Sequence, residues 1–219
     1  MNDWKLRLKL QPGERVALVG SGGKTTLLWE LAQEYAGRKI LLTTTTRMRL
    51  PPPDYPFCEP EELPELWPRT HGVFVGRPEG EKVSGPTAAE VDAWELPGLE
   101  LLVVEADGSR GRPVKAHAAY EPIIPSRTTL AVAVLGMQAL GMPAGEAHRA
   151  ELLCQQLGCD PELRLGESHL GLVLEGYLER APAPRQVVVL NQADDSRLQA
   201  AAERIGRRLR VPYVVRGQA

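Results

Sequence analysis

One stretch, Arg15-Val16-Ala17-Leu18-Val19-Gly20-Ser21-Gly22-Gly23-Lys24-Thr25-Thr26, constrains the fold of this 219-residue chain more than any other. It opens as an apolar run of strand length and closes as a glycine cluster on Lys-Thr, and a helical pattern follows from about Lys24 to Tyr35. Lys39-Ile40-Leu41-Leu42-Thr43 then reads as a second buried strand. Strand, tight turn, helix and strand in that order point to a right-handed parallel unit. Glycines let successive N–H groups turn toward one concavity, where a side chain would obstruct an anion. The helix start adds partial positive charge. Gly20, Ser21, Gly22, Gly23, Lys24, Thr25 and Thr26 therefore read as a phosphate-binding loop, with Lys24 bridging terminal phosphates and Thr25 offering a hydroxyl to Mg²⁺.

The full phosphate-loop pattern has glycine six residues before the lysine; here that position is Leu18, inside the strand. The turn thus begins at Gly20 and the loop is short, similar to the Gly-Thr-x-Gly-Lys-Thr form of Mur ligases and folylpolyglutamate synthetases. Further strands are predicted at Gly72–Val75, Leu99–Val104, Thr129–Leu135, Val187–Leu190 and Val211–Val215. Helices are predicted at Pro60–Leu66, Thr87–Trp94, Gly145–Leu157, Ser168–Leu178 and Asp194–Leu209. Leu6, Leu8 and Leu10 alternate with Lys5, Arg7 and Lys9, the pattern of a half-exposed edge strand. The Pro51–Pro56 stretch is a stiff connection rather than a boundary. The expectation is one α/β domain over residues 1–219, a three-layer, mostly parallel sheet of the phosphate-loop NTPase type.

Leu101-Leu102-Val103-Val104-Glu105-Ala106-Asp107 is an apolar strand ending in acids, and period-two geometry puts Glu105 and Asp107 on one face. A carboxylate at such a strand end suits Mg²⁺ directly or through water, and either residue qualifies. Arg110, Arg112 and Lys115 follow as three cations in six residues; Arg112 and Lys115 are candidates to hold a second anionic substrate, with a solvated basic loop as the plainer reading. In Thr43-Thr44-Thr45-Thr46-Arg47, Thr45, Thr46 and Arg47 are candidate nucleotide contacts, although threonine is also a common strand residue. Asn191-Gln192-Ala193-Asp194 is similar to the Asn-Lys-x-Asp base-reading element of GTPases, with Gln192 in place of lysine. Asn191 and Asp194 would read a base there; alternatively Asp194 or Asp195 caps the next helix. His148 and Arg149 stand at the start of a helix, with surface placement as the plainer reading and reach into the site as the alternative.

Composition removes other classes. Basic and acidic residues number 26 and 28, a formal charge of -2, and aromatic residues are 5%, which argues against nucleic acid. Three scattered cysteines (Cys58, Cys154, Cys159) support neither zinc nor a disulfide framework and read as core or incidental, with exposure beside the proline-rich loop as the alternative for Cys58. No apolar run approaches a membrane span and no leader pattern opens the chain, so it reads as cytoplasmic and free of membrane. Of 26 basic residues only six are lysine, and two of these, Lys24 and Lys115, fall within the candidate site.

The order of these segments, with Pro113-Val114-Lys115-Ala116, Glu121-Pro122-Ile123-Ile124-Pro125 and His148-Arg149-Ala150-Glu151, resembles the YqeC family. That family comprises accessory proteins for selenium-dependent molybdenum hydroxylases, also described as selenium cofactor biosynthesis proteins. Ala150 stands where the family pattern has proline. The resemblance implies a phosphate-loop protein that binds ATP or GTP with Mg²⁺ and acts in maturation of a selenium-containing molybdenum cofactor. Its partners would be a selenium- or molybdopterin-containing small molecule and a molybdenum hydroxylase. Lys24, Asp107, Arg112 and Lys115 are the candidate catalytic residues. Three functions follow: nucleotide hydrolysis or phosphoryl transfer; a nucleotide-gated carrier or cofactor-insertion chaperone; or a loop that holds the phosphate of a pterin.

Overall fold

The computed structural model describes residues 3–217. They are α/β: an eight-stranded, mostly parallel sheet with helices in its connections, and a separate three-stranded antiparallel sheet. The chain packs as two compact units. Among the described residues the first comprises 3–18, Thr25–Gly108 and Ile123–Leu130; the second comprises Val19–Lys24, Ser109–Pro122 and 131–217. No helix among the described residues is long and apolar enough to cross a membrane.

In chain order the elements of the first unit are α1 (Trp4–Arg7), β1 (Glu14–Gly20, its last two residues in the second unit), α2 (Lys24–Glu34), β2 (Ile40–Thr44) and β3 (Arg47–Arg49). They continue with β4 (Phe57–Cys58), α3 (Leu63–Leu66), β5 (Gly72–Val75), β6 (Arg77–Glu79), β7 (Lys82–Ser84), α4 (Ala88–Ala93) and β8 (Leu101–Glu105). Strand β8 pairs in parallel with β1 on one side and β2 on the other, so Leu18, Glu105 and Thr44 stand at one level. β5 follows β2, and β4 follows β5. All five residues of β8 and of β2 are buried, the continuous apolar run that a parallel strand covered on both faces requires. One face packs Leu41, Val73, Val75, Leu102 and Val104 against Leu63, Trp67 and Val91. The three-residue strands β3, β7 and β6 form the antiparallel sheet, and sequence periodicity had no length over which to reveal them.

The second unit contains β9 (Leu130–Gly136, its first residue in the first unit), α5 (Ala150–Leu157), α6 (Glu167–Arg180), β10 (Arg185–Asn191), α7 (Ser196–Gly206) and β11 (Tyr213–Val215). β10 and β11 pair in parallel, with Leu190 opposite Val215. Asp195, not Asp194, caps α7 by accepting from the Leu198 N–H at 2.7 Å. The helix expected over Gly145–Leu157 is broken. A short turn over Ala144–Glu146 is followed by Arg149 in the left-handed region (φ 60°), and α5 starts only after it. The break lets His148 form a parallel bridge with Lys115, their backbones linked from His148 N–H to the Val114 carbonyl and from Ala116 N–H to the His148 carbonyl.

One sequence reading needs correction here. The Leu6-Leu8-Leu10 segment is not an edge strand. Asp3 accepts from the Leu6 N–H and caps the single turn α1, leaving Leu6 71% exposed while Leu8 and Leu10 are buried; a strand would have put all three on one face. Cys58 is buried in β4, as the core reading had it, and burial followed by the nearby Glu62 charge pushes its thiol up to about 11.

Trp4 fixes α1. Its side chain is fully buried, its indole N–H donates to Glu30 at 2.9 Å and its backbone N–H to Glu34 at 2.7 Å. Trp4→Ala is expected to cost about 3–5 kcal/mol, the range for deleting a buried tryptophan, read as a lowered midpoint in urea unfolding.

Candidate functional site

In the second unit the glycine loop is held open by its own crowding. Gly20, Gly22 and Gly23 have φ of 92°, 86° and 122°, which L side chains rarely adopt. A Cβ at Gly20 would strike the Tyr177 ring and the Val134 carbonyl; one at Gly22 would meet the Gly136 backbone; one at Gly23 would overlap the Asn191 amide. Asn191 Nδ2 donates to the Gly22 carbonyl at 2.7 Å and its Oδ1 accepts from Arg216 at 2.9 Å, so this residue braces the loop. Ser21 is buried, and its N–H donates to the Val134 carbonyl. Lys24 is buried, and its ammonium donates to the Gly20 carbonyl at 2.6 Å, closing the loop on itself.

In the first unit Thr25 Oγ1 donates to Glu105 Oε2 at 2.8 Å, joining the first turn of α2 to the end of β8. Hydroxyl and carboxylate oxygens are the donor set that a hard divalent cation takes, so this pair fits Mg²⁺. Asp107 is fully buried two residues on. Among the described residues no group of three or more His, Cys, Asp or Glu converges as a metal cluster. Thr26 is exposed on the outer side of the same turn.

The threonine run is mostly structural. Thr43 donates to the Val75 carbonyl at 2.8 Å, Thr44 to the Glu105 carbonyl at 2.7 Å and Thr45 to the Ile123 carbonyl at 2.5 Å. Thr46, half-buried, gives its N–H to Thr44 Oγ1, and Arg47 is exposed and paired with Glu79. A Cβ at Gly85 would collide with the Thr44 carbonyl, a close approach that nothing in the sequence signals.

The basic segment divides. Arg110 and Arg112 are exposed, whereas Lys115 is fully buried and its ammonium pairs with Glu121 Oε2 at 2.7 Å. Arg149, for which the surface is the plainer reading from sequence, is instead only 21% exposed; its Nη1 reaches the same Glu121 oxygen and its Nη2 donates to Oε1 at 2.8 Å. Burial pushes the Glu121 carboxyl up, but hydrogen bonds from Arg149 and Lys115 outweigh it and hold the group below its ordinary value. His148 is driven down to about 4 by burial, then by the cations Arg149, Lys115 and Arg110. The Tyr177 hydroxyl bridges this group to the loop. It accepts from the Lys115 N–H at 3.1 Å, donates to the Lys115 carbonyl at 2.9 Å and lies 3.3 Å from Ser21 Oγ. Neither Tyr177 nor Glu121 was singled out as a site residue from sequence. Asp194 is exposed and accepts from Gln138 at 3.2 Å.

Two comparisons place the chain among known proteins. The family model described as YqeC protein matches residues 16–151. The uncharacterized protein YqeC of Escherichia coli (strain K12) is 36% identical over 166 residues, which cover 71% of this chain and 65% of the relative. The match thus spans less than two thirds of that relative's length.

Glu121→Gln is expected to destabilise the fold by about 3–5 kcal/mol, since it removes the carboxylate from two cations, one of them fully buried. The depressed pKa of His148 sets a pH slope. Between about 6.5 and 4 the unfolded chain binds a proton that the folded one refuses, so stability present at neutral pH falls as pH drops through that window. Thermal melts across this range should show the slope in wild type and a flatter profile in His148→Asn.

Proposed function

The chain belongs to the YqeC family, and from that premise we propose that it is a Mg²⁺-dependent nucleotide-binding protein that hydrolyses ATP or GTP or transfers its phosphoryl group. The observation that carries the reading is the Thr25–Glu105 hydrogen bond, made by the residue peptide-bonded to Lys24 of a loop whose glycines tolerate no side chain. In this reading the amides of Gly22 and Gly23 and the Lys24 ammonium hold phosphate oxygens. Thr25, with Glu105 or Asp107, holds Mg²⁺, which supplies charge stabilisation at the phosphoryl oxygens. Lys24 exchanges its Gly20 carbonyl for a phosphate, a stronger charge-assisted partner. Thr45, Thr46, Asn191 and Asp194 remain the candidate contacts for the rest of the nucleotide, and Arg112 for a second anion. The place of this activity, in maturation of selenium-dependent molybdenum hydroxylases, is supported by the order of sequence motifs alone.

A second reading, a nucleotide-gated carrier or cofactor-insertion chaperone without appreciable turnover, draws support from Lys115. Its ammonium is fully buried and paired with Glu121, the environment of a structural charge more than of a group that meets a transferring phosphoryl.

Calorimetric titration of ATP and GTP with Mg²⁺ should show binding that Lys24→Ala weakens by roughly 10- to 100-fold, the worth of one charge-assisted hydrogen bond of about 1.5–3 kcal/mol. No binding of either nucleotide to the wild type would end the proposal. Phosphate release that Lys24→Ala abolishes selects the enzymatic reading; binding without release, with the target hydroxylase present, selects the carrier. Removal of Mg²⁺ should lower affinity in wild type and have a smaller effect in Glu105→Gln.

A further inference from the structure

Cys154 and Cys159 lie in Cys154-Gln155-Gln156-Leu157-Gly158-Cys159, a spacing of five that does not place two residues on one helix face. The end of α5 changes that. Gly158 takes the left-handed conformation (φ 61°, ψ 41°), the Cys159 N–H returns to the Cys154 carbonyl at 3.0 Å and the Gly158 N–H to the Gln155 carbonyl at 3.4 Å. These paired returns define the helix stop in which the residue just past the glycine folds back onto the side chain three positions before the helix cap. That contact is ordinarily apolar; here both members are thiols. Cys154 is 9% exposed and Cys159 more so.

We infer that Cys154 and Cys159 form a dithiol exchange site that a small-molecule disulfide converts reversibly into an intramolecular disulfide. Burial, then the neighbouring Cys159 thiol, pushes the Cys154 thiol up, and Cys159 is the more exposed of the two sulfurs, so a small disulfide meets Cys159 first. Cys159 Sγ attacks one sulfur of the disulfide, whose S–S bond breaks, and the first thiolate leaves and takes up the proton that Cys159 lost. Cys154 then gives up its proton and attacks Cys159 Sγ in the mixed disulfide, releasing the second small thiol. Two protein thiols are oxidised to one disulfide and one small disulfide is reduced to two thiols. The closed form staples the last turn of α5, the helix that the chain enters through Arg149.

The test is made on the full chain with oxidised glutathione in native buffer, followed by acid quench, alkylation and trypsin. Residues 150–164 carry both cysteines with no internal Lys or Arg. This peptide is expected to lose two hydrogens and take no alkylating reagent, to recover both alkylations after dithiothreitol, and to leave Cys58 alkylated throughout. Cys154→Ser should stop at a glutathione adduct on Cys159. Stable glutathione on the wild-type peptide, full alkylation of both cysteines, or a disulfide to Cys58 would each overturn the inference. The wild-type peptide alone decides the matter if the variant does not fold.

Discussion

A buried ammonium has to be neutralised where it sits, and much of the second unit is arranged by that requirement at Lys115. Dehydrating a charge costs several kcal/mol unless a counter-charge and hydrogen bonds replace the water. Glu121 supplies the counter-charge six residues on, and its carboxylate in turn draws in Arg149. The main chain around Lys115 is tied separately: its N–H and C=O are both held by Tyr177, and its neighbours by the His148 bridge. One lysine thus fixes where α6 presents its tyrosine and why the chain leaves helical geometry just before α5.

Long buried strands were legible because a covered parallel strand has only one way to be written, as an unbroken apolar run. β5 lies over the residues its pattern marks, and the edges of β1, β2, β8 and β9 fall within a residue or two. Leu6, Leu8 and Leu10 misled because three leucines at period two also suit one capped turn followed by two buried residues. Short elements such as β3, β6 and β7 carry three residues each and no periodic signal.

The candidate site was legible in its loop and silent in its supports. Gly-Gly-Lys-Thr announces itself by composition, and Glu105 by its position at a strand end. The partners that hold these residues come from far along the chain: Tyr177 from α6, Asn191 from the end of β10, Arg149 at 28 positions from Glu121. Long-range partners of this kind leave no local pattern. A different reason hid the two thiols at the end of α5, which are neighbours in sequence but are brought together by a glycine stop rather than by helical spacing.

The side-chain amide of Asn191 is clasped at both ends, donating to the Gly22 carbonyl and accepting from Arg216. Its oxygen and nitrogen therefore cannot exchange places without setting donor against donor, and the group behaves as a keyed link rather than a swivel. Any displacement of Gly22 is passed through this amide to Arg216, just beyond β11. One amide thus gears Arg216, just past the last strand, to the glycine loop.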